Sequence, residues 1–174
     1  MRCAMLASGS GRRTGRDNRP MLATPTFAPP HDAVAGCPLC HEAGGVPVWS
    51  EPDWRVIRVD DAAFPAYYRV IRHSHVAELS MLSAAQRQRC MDLVAAVDAV
   101  LLRDLQPTKV NLAALGNIVP HLHWHVVARF DWDSHFPQPI WGPKQRDVVP
   151  PPAARLRMPL SELDAHVAAA CAAA

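Results

Sequence analysis

The sequence predicts an α+β domain. Two pairs of short runs rich in β-branched and aromatic residues read as strands, one long stretch between the pairs has helical periodicity, and an Ala-rich segment closes the chain. At 174 residues, 49% hydrophobic and 20% charged, the chain is long enough to bury one core. Its apolar stretches are broken by Arg, Asp or His within about ten residues, well short of the roughly 20 that a membrane-spanning helix needs.

Residues 1–30 hold Gly, Ser, Arg, Thr and Pro with few large apolar side chains. That composition does not offset the entropy of ordering, so a disordered leader is expected, with Met21 as an alternative start. The first strand pair is Trp54-Arg55-Val56-Ile57-Arg58-Val59 and Ala66-Tyr67-Tyr68-Arg69-Val70-Ile71, separated by Asp60, Asp61 and Pro65. Ser83 followed by Gln86 is a capping-box signal. Cys90, Leu93, Val94, Val97, Val100, Leu101 and Leu105 then recur every three or four residues, which predicts a helix over 84–105 ended by Pro107. Residues 109–115 and 122–130 form the second strand pair, joined through Gly116-Asn117. Seven of the 17 prolines fall between Phe136 and Pro159, so an extended arm is expected there, followed by a terminal helix over 161–174. The expected organisation is thus a leader over 1–30, a folded domain over 31–136, and an arm and helix over 137–174 that pack on it.

Charge narrows the function classes. The formal net charge is +2, but the first 30 residues hold five arginines against one aspartate, and the remaining 144 hold 13 basic and 15 acidic groups, a net of −2. A weakly acidic body argues against binding to a nucleic-acid polymer, which depends on a contiguous basic face. The five cysteines are odd in number and only Cys37 and Cys40 are close in sequence, so they make no disulfide framework. With no continuous apolar segment of a secretory signal in the opening residues, a reducing cytoplasm is the expected compartment.

The chemistry concentrates in His121-Leu122-His123-Trp124-His125-Val126-Val127. On a strand, successive side chains alternate, so the three histidines share one face and Leu122, Trp124 and Val126 fill the other. Three imidazoles in line are a poor choice for packing, because each brings ring nitrogens that must be satisfied or desolvated at a cost. Two readings remain. The three rings ligate a catalytic metal with an open fourth position, or one is a nucleophile toward phosphorus that its neighbours orient.

From Asn111 through Gly116-Asn117-Ile118-Val119-Pro120 into the histidine strand, the sequence resembles the histidine triad (HIT) family of nucleotide hydrolases and transferases. That family's signature is His-apolar-His-apolar-His-apolar-apolar, and the likeness is to a bacterial diadenosine tetraphosphate hydrolase-like branch. The order of elements from Cys37 to Arg129 is similar as well. The resemblance implies a HIT-like antiparallel sheet of about five strands with one long helix and a short C-terminal helix, assembled as a homodimer. It implies that His123 attacks the α-phosphorus of a nucleotide, that a backbone carbonyl holds its other nitrogen, and that His125 hydrogen-bonds the α-phosphate and the leaving oxygen. It places Asn111, Gly116 and Asn117 near the phosphates and an acidic residue, Asp60 or Asp61, at the ribose. Tyr67 stands where relatives usually have a histidine, and Ile118 where many have a hydroxyl.

Cys37-Pro38-Leu39-Cys40 has a spacing zinc favours but supplies only two of four ligands. Zinc-bearing relatives complete the set at the positions matching His75 and His121, so the resemblance implies a structural zinc on Cys37, Cys40, His75 and His121, with no metal required for catalysis. Trp141, in the Pro-rich arm, is expected to cover the sheet or stack on a base. The expected function is hydrolysis of a dinucleoside polyphosphate or nucleoside phosphoramidate through a nucleotidyl-histidine. Nucleotidyl transfer to an acceptor other than water, a metal-dependent hydrolase built on the three histidines, and a module that only holds nucleotide are the alternatives.

Overall fold

The computed structural model describes Phe27 and residues 29–174. The expected leader and Cys3 therefore lie outside the described residues, apart from Phe27, Pro29 and Pro30. Strands β1 (Val46–Ser50), β2 (Trp54–Arg58), β3 (Tyr67–Arg72), β4 (Lys109–Ala113) and β5 (His123–Arg129) make one antiparallel sheet in the spatial order β1-β2-β3-β5-β4. A one-turn helix α1 (Pro38–His41) precedes the sheet, the long helix α2 (Ala84–Leu105) links β3 to β4, and α3 (Leu160–Ala173) ends the chain. The α+β class and the five-stranded sheet agree with expectation.

Each of the four expected strands forms within two residues of its expected ends, and α2 has its expected bounds. The Ser83 hydroxyl accepts from the Gln86 backbone N–H while the Gln86 side chain accepts from the Ser83 N–H, so both halves of the capping box are made. Gln106 at φ 48° turns the chain out of α2 ahead of Pro107. The strand not read from composition is β1. It contains Pro47, which lacks a ladder donor, and it survives because it is an edge strand with a bulge between Pro47 and Trp49.

The two faces of the sheet have different work. Trp54, Val56, Tyr68, Val70, Val126 and Ala128 face the buried stripe of α2, and Leu163, Val167 and Cys171 of α3 close the same core. Asp164 docks α3 on the sheet by accepting from Arg58 Nε at 3.0 Å and from the Tyr68 hydroxyl at 2.7 Å. The opposite face carries Ile57, Ile71, Leu39, Cys37 and Cys40 at one end and Phe64, Tyr67 and Val127 at the other. Between these two small clusters stand His123 and His125.

A buried ion pair turns the Pro-rich arm back toward that face. Arg129, 1% exposed, donates through Nε and Nη2 to Asp133 at 2.7 and 3.0 Å, and through Nη1 to Asn111 Oδ1 at 2.7 Å. Asp133 also accepts from the backbone N–H groups of His135 and Phe136, and Arg129 Nη2 donates to the Gln138 carbonyl. Burial alone would raise the Asp133 carboxyl, but these hydrogen bonds, led by Arg129, hold it below the ordinary range. Asp133→Asn strands a buried guanidinium and is expected to lower stability at pH 7 by about 3 kcal/mol. Because the folded pKa lies below the unfolded value of about 3.9, the carboxylate's stabilisation is full above that value and is lost as pH falls through the folded one. Denaturation of the two proteins at neutral and acid pH checks this, the curves converging at acid pH.

Candidate active site

Period-two alternation on β5 brings His123 and His125 to the face away from α2, with ring centroids 4.7 Å apart. In the ladder His123 is opposite Ile71 and His125 opposite Arg69. His123 Nδ1 donates to the His121 carbonyl at 2.6 Å. That bond fixes the tautomer and leaves the lone pair of Nε2 free on a ring that lines a cavity of about 650 Å³. Burial lowers the pKa of His123, the bond to His121 opposes the shift and the Arg69 charge adds to it, so the ring is neutral at pH 7.

The tautomer of His125 follows from its neighbours. Arg69 Nη2 donates to the Tyr67 hydroxyl at 3.3 Å, so the hydroxyl hydrogen is free to go to His125 Nδ1, its other partner. A neutral His125 then carries its proton on Nε2, as a donor. Burial, followed by the charges of His123 and Arg69, pushes its pKa down to about 3. Burial raises Tyr67 in turn, keeping the phenol protonated. Tyr67 thus holds the His125 ring from the neighbouring strand.

Around the two rings, the cavity is lined by Leu39, Gly44, Gly45, Arg69, Leu115 to Val119, and Trp141. Gly116 at φ 68° needs glycine for its backbone conformation, and a Cβ there would meet no atom closer than 3.9 Å. Asn117 is exposed on the cavity wall, where its amide is within the space a ligand would take. Asn111 lies instead on a second cavity of about 460 Å³ with Val127, Pro139 and Ile140. His125 and Trp141, edge to face at 5.1 Å, form the wall shared by the two. Because Arg129 must meet an acceptor, the Asn111 amide is oriented with Oδ1 to Arg129 and its NH₂ free.

The third histidine has a different set of partners. His121 Nδ1 lies 3.4 Å from Cys37 Sγ and 3.5 Å from Cys40 Sγ, and Cys40 Sγ is 3.3 Å from His75 Nδ1. All four ligand atoms are within 4.8 Å of one another. Tetrahedral zinc with ordinary bond lengths requires N···S and S···S edges of about 3.5–3.8 Å. His121 Nε2 donates to the Arg72 carbonyl at 2.7 Å, which turns the Nδ1 lone pair toward the thiols, and burial lowers the His121 pKa so that the ring is neutral. Arg55, 3% exposed, donates to the carbonyls of Leu39 and Ala43 and clamps the cysteine turn to the sheet. The donor set fits zinc.

This division corrects the reading in which three histidines share one ion. Both nitrogens of His121 are committed to the cysteine cluster and Arg72, and the Nδ1 atoms of His123 and His125 are committed to a carbonyl and a phenol. Only two Nε2 atoms remain toward the cavity. Asp60 and Asp61 are also not brought to it. Asp61 Oδ1 accepts from the N–H groups of Ala63 and Phe64 and closes the turn after β2, with Asp60 exposed beside it. Arg69 was missed by sequence reasoning, although its alternation with Tyr67 and Ile71 placed a cation on the histidine face.

An antiparallel α+β sheet with an alternating-histidine strand places the chain among the solved histidine triad proteins. One from Marinobacter aquaeolei VT8 shares 26% identity and a TM-score of 0.59 over 75% of this chain and 91% of its own. Others from Bradyrhizobium japonicum and Sinorhizobium meliloti 1021 each share 25% identity and a TM-score of 0.57, over 75% and 72% of this chain and 90% and 88% of theirs. No curated protein matches. The HIT domain model matches residues 42–132, and the chain belongs to the HIT family. Its members are generally nucleotide hydrolases or transferases, which supports a nucleotide-binding or hydrolase role here. No helix among the described residues is long and apolar enough to cross a membrane.

Proposed function

We propose that the protein hydrolyses a nucleoside phosphate bond, in a dinucleoside polyphosphate or a nucleoside phosphoramidate, through a nucleotidyl intermediate on His123. The observation that carries this is the Nδ1–H bond to the His121 carbonyl, which leaves a neutral imidazole with its Nε2 lone pair beside a cavity of nucleotide size. In the first step Nε2 forms a bond to the α-phosphorus as the bond to the leaving group breaks. A polyphosphate leaves as the anion, its departing oxygen accepting a hydrogen bond from His125 Nε2–H, and the nitrogen of a phosphoramidate leaves as the amine with a proton taken from solvent. In the second step water attacks phosphorus and releases a proton to solvent, and the N–P bond breaks to release the nucleoside monophosphate and neutral His123.

Phosphoryl transfer is catalysed mainly by positioning and by neutralising charge on the equatorial oxygens. Gly116 and Asn117 border the cavity on the strand's approach and would contact those oxygens, and Asn111 serves the adjoining cavity. Cys37, Cys40, His75 and His121 would hold a structural zinc that braces the start of β5. It supplies no step at phosphorus. The outer edge of β4 and the exposed Leu102 and Leu112 support a homodimer, and four free thiols among the described residues support a reducing, cytoplasmic setting. Product analysis with a labelled dinucleotide tests the reaction. Nucleoside monophosphate in buffer alone supports hydrolysis, and release that requires an added acceptor supports transfer instead.

A further inference from the structure

Among the described residues, Arg69 is the cation that lines the cavity on the histidine face. Among the described residues its guanidinium forms no ion pair. Its Nε is buried with no hydrogen-bond acceptor, and its one bond is from Nη2 to the Tyr67 hydroxyl, over whose ring it sits at 5.4 Å. A desolvated guanidinium edge without an acceptor is costly, and the fork of Arg is shaped for two oxygens of one phosphate. Glu42, also on the cavity wall, forms no ion pair with it among the described residues.

Its place along the sheet decides which phosphate it meets. Arg69 is opposite His125, not opposite His123, so it stands two residues, about 7 Å, along the sheet from the nucleophile. His125 is the donor to the leaving atom, so Arg69 flanks the leaving group and not the nucleoside that stays on His123. Resting on the hydrolase reading above, we infer that Arg69 binds the phosphate oxygens beyond the scissile bond, so that the site selects a polyphosphate leaving group over the uncharged amine of a phosphoramidate.

The test uses Arg69→Gln and Arg69→Lys in the full chain, with melting curves to show that both fold. Binding of inorganic tripolyphosphate is measured by calorimetry, and kcat/KM is measured on diadenosine tetraphosphate and on adenosine 5′-phosphoramidate. Loss of a charge-assisted hydrogen bond predicts about 30-fold weaker tripolyphosphate binding and about 30-fold lower kcat/KM on the tetraphosphate in Arg69→Gln. Arg69→Lys recovers part of both; the phosphoramidate rate, which feels only the lost bond to Tyr67, falls by a smaller factor, so that the ratio of the two kcat/KM values drops about tenfold in Arg69→Gln. A merely structural role, acting through Tyr67 and His125, would lower both substrates alike. Equal losses on the two substrates, or tripolyphosphate binding that is absent or indifferent to Arg69→Gln, overturns the inference. If neither substrate is cleaved by the parent while tripolyphosphate binding still depends on Arg69, the hydrolase reading falls and the phosphate site stands.

Discussion

His123→Ala is expected to lower kcat by about 10⁴-fold or more while the protein stays folded and binds nucleotide within a few-fold of the parent. The expectation follows from what the ring does and does not hold. Its Nδ1–H makes one bond, to the His121 carbonyl, and its other edge faces the cavity, so truncation removes one hydrogen bond worth about 1 kcal/mol and opens no hole in the α2 core. The nucleophile, in contrast, has no substitute within reach. His125 carries its lone pair on Nδ1, turned to Tyr67, and presents a proton toward the cavity. Steady-state turnover, a melting curve and nucleotide titration separate the two effects, and near-normal kcat in a folded variant rejects His123 as the nucleophile.

Cys40→Ser is expected to have the largest effect on stability. Its thiol is fully buried and lies within hydrogen-bond distance of both His75 and His121. Structural zinc sites contribute about 10–16 kcal/mol of apparent binding free energy, so losing one of four donors removes much of that coupling. A fall in Tm of about 10 °C or more is expected, with loss of stoichiometric zinc. A chelator should lower the melting temperature of the parent toward that of the variant and leave the variant unmoved. At a temperature where the chelated parent remains folded, kcat should persist, because the cysteine cluster holds His121 and the strand start but places no donor at the reacting phosphorus. An unchanged melting curve together with a zinc-free parent contradicts the zinc site.

Much of the sheet was legible because local rules and packing agree there. The capping box at Ser83 and Gln86, the stripe from Cys90 to Leu105 and the alternation from His121 to Val127 each repeat with the period of the element they form. The same alternation paired Leu122, Trp124 and Val126 with the core and placed His123 and His125 opposite them. What local pattern does not carry is pairing over long separations. Pro47 hides β1 because proline reads as a strand breaker unless the edge position is known. Nothing near Arg129 announces that it will join Asp133 and Asn111 in one buried cluster, which takes Asn111 to the second cavity and leaves Asn117 on the first. Asp61 was read for its charge, while the fold uses its oxygen to close a turn. For Arg69 the face was readable from the strand period, but the missing counter-charge shows only once β3 and β5 lie side by side.

Mass spectrometry of the enzyme quenched during turnover tests the covalent step most directly. A phosphorus–nitrogen bond to imidazole predicts a nucleoside monophosphate adduct on the peptide holding His123, lost on acid treatment and absent from His123→Ala. Turnover by the parent with that peptide unmodified at every time point, or with the nucleotide attached to another side chain, contradicts it.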